Sequence, residues 1–179
     1  MSFDIPRSIR VIVFLLAFLT LPIALLAQFG SLFGRTPAAP EVTVNQLRKL
    51  QTEQAQADSE AQSQGRPNPV PSFVLVDVRA PEEVAVSMIP GAITQQQFEK
   101  SSQRFRDGTV IVYCTIGYRS GQYASKLIEQ GFTAKNFKGS ILAWCEANQP
   151  LVTPQGVATN RVHTYSSKYK VSEKYKAVW

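Results

Sequence analysis

The chain has 179 residues, 44% of them hydrophobic, with 19 Lys and Arg against 13 Asp and Glu for a net charge of +6. That length holds one domain plus appendages, and two cysteines, Cys114 and Cys145, make no disulfide framework. A lone histidine, His163, lies outside the domain core and argues against a Cys-His hydrolase dyad, and no set of residues has the spacing of a metal site.

Residues 1–10 form a short segment carrying Arg7 and Arg10 against Asp4. Residues 11–27 are uncharged and apolar apart from Thr20, a run covering about 26 Å as a helix, near the lower limit for a membrane span. Phe29, Leu32 and Phe33 extend the run, so residues 11–33 read as an N-terminal transmembrane helix. The alternative is a signal peptide cut near Ala27. The first reading gives a single-pass membrane protein with its soluble domain on one side, and the second an exported one. Residues 34–40 are a linker stiffened by Pro37 and Pro40.

A domain is expected over residues 41–152. It begins with an edge strand over residues 41–44 and a helix over residues 46–57, capped by Asn45 and carrying Leu47 and Leu50 on one side. Residues 59–71 contain Gly65, Pro67, Pro69 and Pro71 and read as a loop. Phe73 to Val76 is apolar without a break, as in a central parallel strand. Asp77 follows as a turn cap, with Arg79 paired to an acidic neighbour, Glu82 or Glu83. Pro81 starts a short helix with acids near its amino end.

Phe98 and Phe105 are expected to pack down on the sheet from residues 95–105. Val110, Ile111, Val112 and Tyr113 follow the turn pair Asp107-Gly108 and read as a second buried strand. A helix over residues 120–130 places Tyr123, Ala124, Leu127 and Ile128 at helical spacing and stops at Gly131. A strand over residues 134–137, a turn at Lys138-Gly139-Ser140 and a short helix with Ile141, Leu142 and Trp144 complete the domain. Cys145 reads as an incidental small residue, the alternative being a resolving thiol.

Residues 153–179 form a basic, aromatic extension. From Arg161 onward there are five Lys or Arg and one Glu, interleaved with Tyr165, Tyr169, Tyr175 and Trp179. Such a segment can sit at a membrane interface, hold a protein partner, or wrap its own domain. No nucleic-acid module accompanies the charge.

Cys114 stands where the second strand ends, before a glycine-containing loop that feeds a helix. In parallel sheets that loop is the usual place for chemistry, because its N–H groups converge on an anion and the helix end adds positive charge. A thiol held there ionises below its ordinary value of about 8.5. Cys114 is therefore the candidate nucleophile.

Cys114-Thr115-Ile116-Gly117-Tyr118-Arg119-Ser120 resembles the active-site loop of the rhodanese (sulfurtransferase) family. Residues 74–93, "VLVDVRAPEEVAVSMIPGAI", and 131–144, "GFTAKNFKGSILAW", are similar to two further segments of that family in the same order. The resemblance implies an α/β fold, a rhodanese-like parallel sheet with helices on both faces, added to the N-terminal transmembrane helix. It implies a sulfurtransferase that moves a sulfane sulfur from thiosulfate or a persulfide to a thiol or cyanide through a Cys114 persulfide.

In that reading Arg119 joins Cys114 as a catalytic residue, binding an oxyanion or steadying the loop. Thr115, Ile116, Gly117, Tyr118 and Ser120 surround the substrate, and Asp77 and Arg79 support the site. No cofactor or metal is implied, and Gly117 with Gly121 makes no dinucleotide fingerprint. The partners are a small sulfur-containing substrate, a thiol acceptor, the membrane through residues 11–33, and a protein held by the tail. The related cysteine-dependent phosphatases carry one more residue between Cys and Arg, so this tighter ring suits a sulfur atom better than a phosphoryl group.

The chain departs from the resembling family twice. Ser87-Met88 stands where Gly-His is usual, and Ser140 where a second glycine is more common. The alternative function is a noncatalytic, membrane-tethered rhodanese-like protein-binding module.

Overall fold

The structure is a computed structural model and describes residues 38–179. Five strands form one sheet: β1 (Glu41–Val42), β2 (Phe73–Asp77), β3 (Ala92–Thr94), β4 (Thr109–Tyr113) and β5 (Thr133–Phe137). Their order is β1-β5-β4-β2-β3 and every pair is parallel. Five helices accompany them: α1 (Val44–Ser63), α2 (Pro81–Val86), α3 (Gln95–Ser101), α4 (Tyr118–Glu129) and α5 (Ser140–Glu146).

The unbroken apolar runs in β2 and β4 follow from burial on both faces. Successive side chains alternate across the sheet. Val74, Val76, Val110 and Val112 meet Phe98 of α3 and Ala124 and Leu127 of α4. Leu75, Ile111 and Tyr113 meet Leu47 of α1 and Ile141 and Trp144 of α5. The parallel sheet with helices on both faces is thus as expected from the sequence. Phe98 also stacks on Phe105 with ring centroids 5.7 Å apart, so both phenylalanines pack inward.

The expectation of a transmembrane helix in this fold is corrected. Among the described residues no helix is long and apolar enough to cross a membrane. Residues 11–33, on which the membrane anchor, the membrane partner and the single-pass location all rested, lie outside the described residues.

Two local expectations also change. Helix α1 starts from Thr43 rather than Asn45. The Thr43 Oγ1 accepts the Gln46 N–H at 3.3 Å and the Gln46 Oε1 accepts the Thr43 N–H at 2.9 Å, a reciprocal capping box. The helix then runs to Ser63, through part of the expected loop. It is closed by Gly65 at φ 63°, whose N–H reaches Gln62 O at 3.0 Å while Arg66 N–H reaches Ala61 O at 2.8 Å.

The chain beyond α5 wraps its own domain. Strands β6 (Leu151–Val152) and β7 (Ala158–Thr159) pair antiparallel, and β8 (Arg161–His163) and β9 (Lys176–Val178) pair parallel. Val162 and Tyr175 are buried in the same core as Leu47 and Trp144. The Tyr175 hydroxyl donates to Gln149 O, and Lys174 Nζ donates to Asn148 O at 2.5 Å. Strand β6 also receives the Ser87-Met88 segment, Met88 N–H lying 2.7 Å from Val152 O, so that departure is accommodated by a bridge.

Candidate active site

Strand β4 ends at Tyr113, and Cys114 begins a tight loop that enters α4. Gly117 takes φ 102° at the helix cap, a backbone state that any side chain would strain, and an added Cβ would lie 3.3 Å from Gly139 N. The turn brings Gly117 N–H to 3.2 Å from Cys114 Sγ. Ser120 Oγ lies 3.5 Å from the same sulfur and Ser140 Oγ 3.9 Å. Burial works against a thiolate here. Hydrogen bonding from the Ser120 hydroxyl and from the Ser120, Gly117 and Ile116 N–H groups outweighs it, and the Cys114 thiol sits below its ordinary value.

The loop is held from outside by α5 and β5. Ile141 N–H and Leu142 N–H, at the start of α5, donate to Cys114 O and Thr115 O at 3.2 Å each. Ser140 Oγ accepts the Cys114 N–H at 3.0 Å, and Ser140 itself adopts φ 54°. Asn136 of β5 accepts from Ser120 Oγ at 2.7 Å and donates to Gly117 O at 3.0 Å. Asn136 and Ser140 were not foreseen as site residues. Ser140 had a signal, since it replaces a glycine usual in the resembling family.

Arg119 commits its fork to Glu83 while its guanidinium also faces Cys114, and both partners raise it against the opposing effect of burial, Glu83 most. Its Nη1 and Nη2 lie 2.7 Å and 2.9 Å from the Glu83 oxygens, and Nη2 is 2.9 Å from Thr115 Oγ1. Thr115 Oγ1 in turn donates to Glu83 Oε1 at 2.7 Å. The pair with Glu83 suits the steadying of the loop, and the interaction with Cys114 places a positive charge beside the sulfur. Glu83, one of the two acids expected to face Arg79, is the buried anchor of this cluster. Burial opposes its ionisation, but the bonds from Arg119, the Ala80 N–H and Thr115 prevail and bring the carboxyl to about 2.

Arg79 pairs with Asp77 instead of Glu82 or Glu83. Asp77 accepts the Arg79 backbone N–H at 3.0 Å, closing the expected turn, and also binds its guanidinium at 2.7 Å with both side chains fully buried. Arg79 Nη2 also reaches Ser87 O at 2.5 Å. The pair fixes the end of β2 beside Tyr113, whose hydroxyl accepts the Ile89 N–H at 3.1 Å. Burial depresses the Arg79 charge and Asp77 more than restores it, leaving the guanidinium raised.

Ile116 and Tyr118 are exposed on the loop, and Tyr165 of the extension stands with its ring centroid 5.6 Å from the Arg119 guanidinium carbon. Cys145 lies in the core on the other sheet face, where burial pushes its thiol up to about 12, so it is no resolving partner for Cys114. A cavity of about 850 Å³ lined by Phe73, Leu75, Pro90 and Trp144 contains none of the loop residues and plays no part in this site.

The site is thus a cysteine at the carboxyl end of the middle parallel strand, with the Gly117 N–H and the Ser120 hydroxyl against its sulfur. Residues 54–147 match the rhodanese-like domain, and the chain belongs to that family. It is 37% identical over 103 residues to a sulfurtransferase of Allochromatium vinosum, a stretch covering 55% of this chain and 95% of that protein. It is also 34% identical over 95 residues to the tRNA uridine(34) hydroxylase of Synechococcus elongatus, covering 45% of this chain and 34% of that protein. A rhodanese-like domain protein from Staphylococcus aureus superposes with a TM-score of 0.41 at 22% identity, over 59% of this chain and 90% of that one. The similarity to sulfurtransferases supports a general sulfur-transfer function.

Proposed function

We propose that the protein is a sulfurtransferase working through a persulfide on Cys114, with thiosulfate or a persulfide as donor and a thiol or cyanide as acceptor. The observation that carries this reading is the convergence of the Gly117 N–H and the Ser120 hydroxyl on an acidified Sγ. The Cys114 thiolate attacks the outer sulfur of the donor; a new S–S bond forms, the old one breaks, and its electron pair leaves with sulfite or a thiolate. The acceptor then attacks that outer sulfur and returns the electron pair to Cys114. N–H groups aimed at the sulfur stabilise the negative charge present before and after each transfer.

In this reading Arg119 acts through its pair with Glu83, keeping the loop closed around the sulfur, and Thr115 completes that clasp. Gly117 and Ser120 touch the sulfur, Ile116 and Tyr118 form the rim, and Asp77 with Arg79 holds the neighbouring strand end. The rival reading of a noncatalytic binding module leaned on the Ser87-Met88 departure and on a tail that holds a partner. The burial of Val162 and Tyr175 against their own domain weighs against it.

The test is the intact mass of the full chain after incubation with thiosulfate, beside Cys114→Ser. A gain of about 32 Da on the wild type alone, removed by cyanide, is expected. A folded wild type with a free thiol that gains no sulfur from thiosulfate or from a small persulfide overturns the proposal.

A further inference from the structure

Tyr165 is the anomaly of the C-terminal extension. It is 65% exposed and takes φ 68°, a left-handed state that a bulky aromatic residue rarely adopts. Its neighbours fix it there. Thr164 is fully buried, its N–H donating to Val178 O at 2.8 Å and its Oγ1 to Ser166 O at 3.2 Å. The Tyr165 N–H donates to His163 Nδ1 at 3.1 Å. Strand β8, just before it, packs on α2, the helix that carries Glu83.

So held, the ring lies over Arg119, one residue from Tyr118. Arg119 already has Glu83 and Thr115 as partners, and an exposed ring adds little to the stability of such a cluster. A strained, exposed aromatic residue is explained by what it offers outward, and strain of this kind gathers at functional sites. Tyr165, Tyr118 and Ile116 are three of the exposed large apolar side chains of the described residues, and all three border the loop around a sulfur that is itself almost fully covered.

We propose that Tyr165 is a specificity-determining residue. With Ile116 and Tyr118 it makes an apolar collar that favours sulfur acceptors bearing an aromatic or bulky apolar group beside the thiol over a small anion such as cyanide. This rests on the sulfurtransferase reading. The acceptor thiolate attacks the outer sulfur of the Cys114 persulfide, the bond from Cys114 to that sulfur breaks with its electron pair returning to Cys114, and the acceptor leaves as a persulfide. No external oxidant or reductant enters. The acceptor's apolar group rests on the collar while its sulfur reaches inward.

The experiment loads the full chain with sulfur from thiosulfate and measures single-turnover transfer to phenylmethanethiol and to cyanide. Wild type, Tyr165→Ala and Tyr165→Phe are compared; both variants keep a Cβ, hence the same backbone strain. Tyr165→Ala is expected to slow transfer to the aromatic thiol about five- to tenfold, the size of one aromatic contact, and to leave cyanide within about twofold. Tyr165→Phe is expected to keep both rates. An equal loss with both acceptors, or no loss with either, overturns the assignment while the sulfurtransferase reading stands. A wild type that takes up no sulfur removes that reading and this one with it.

Discussion

Glu83 and Arg119 meet as a two-pronged ion pair across 36 residues of sequence, each guanidinium nitrogen within 2.9 Å of a carboxylate oxygen. Glu83 is buried and the Arg119 side chain is 36% exposed. The pair ties helix α2 to the first turn of α4, so the position of the Cys114 loop depends on a residue from a different part of the chain.

Replacing Glu83 with Gln leaves Arg119 without its counter-charge. Arg119 is open enough to regain water, which limits the penalty. A loss of about 1–3 kcal/mol is expected, seen as a lower urea midpoint at unchanged slope. Sulfur loading of Cys114 should slow as well, because the loop loses its outer clasp.

Acid should reveal the same pair. The Glu83 carboxyl is lowered from 4.5 to about 2 in the folded protein. Between those values the unfolded chain holds a proton that the folded one does not. The stabilisation is thus complete above the ordinary carboxylate range and is lost as pH falls toward 2, on the order of 3 kcal/mol in all. Urea midpoints measured across that window should fall in the wild type, and Glu83→Gln should lack this part of the fall.

The Cys114 thiol should ionise below its ordinary value, and thiolate ultraviolet absorbance against pH reads this without a reagent having to enter the loop. Ser120→Ala removes a hydroxyl 3.5 Å from Sγ and should move the midpoint upward. Burial pushes the Cys145 thiol up to about 12, well above this range, so Cys145→Ala should leave the midpoint in place.

Ser140 allows a paired comparison. Ser140→Ala strands the buried Cys114 N–H and keeps the positive φ, at about 1–3 kcal/mol. Ser140→Gly loses the same bond but sheds about 1 kcal/mol of left-handed strain. Glycine should therefore be the milder change of the two in thermal unfolding.

The framework was readable because it depends on local pattern. The runs at Phe73 to Val76 and Val110 to Tyr113 need burial on both faces, and Gly117 and Gly131 sit at φ 102° and 83°, where glycine is the natural choice. Cap choice was harder. Thr43 and Gln46 carry the capping-box spacing, but Asn45 is also a good cap by type and lies closer to the first leucine. The Arg79 partner was expected to be Glu82 or Glu83 because the chain folds back on itself there, and the fold-back instead serves Asp77. Arg79 instead precedes α2 and curls back on Asp77, which frees Glu83 for Arg119. Asn136 and Ser140 reach the loop only when β5 and α5 are laid beside β4, a contact that no pattern within either segment announces. Tyr165 needed the pairing of β8 with β9, two short strands separated by the residues between His163 and Lys176.

The cysteine follows the middle strand of the five-stranded sheet, whereas Tyr165 follows a strand of a separate two-stranded ribbon. Amide hydrogens of β8 and β9 should therefore exchange with solvent earlier than those of β4. Of the collar, Ile116 and Tyr118 move with the Cys114 loop, and Tyr165 alone depends on the two-stranded ribbon. Warmth or mild denaturant should blunt discrimination among acceptors before it silences the thiol.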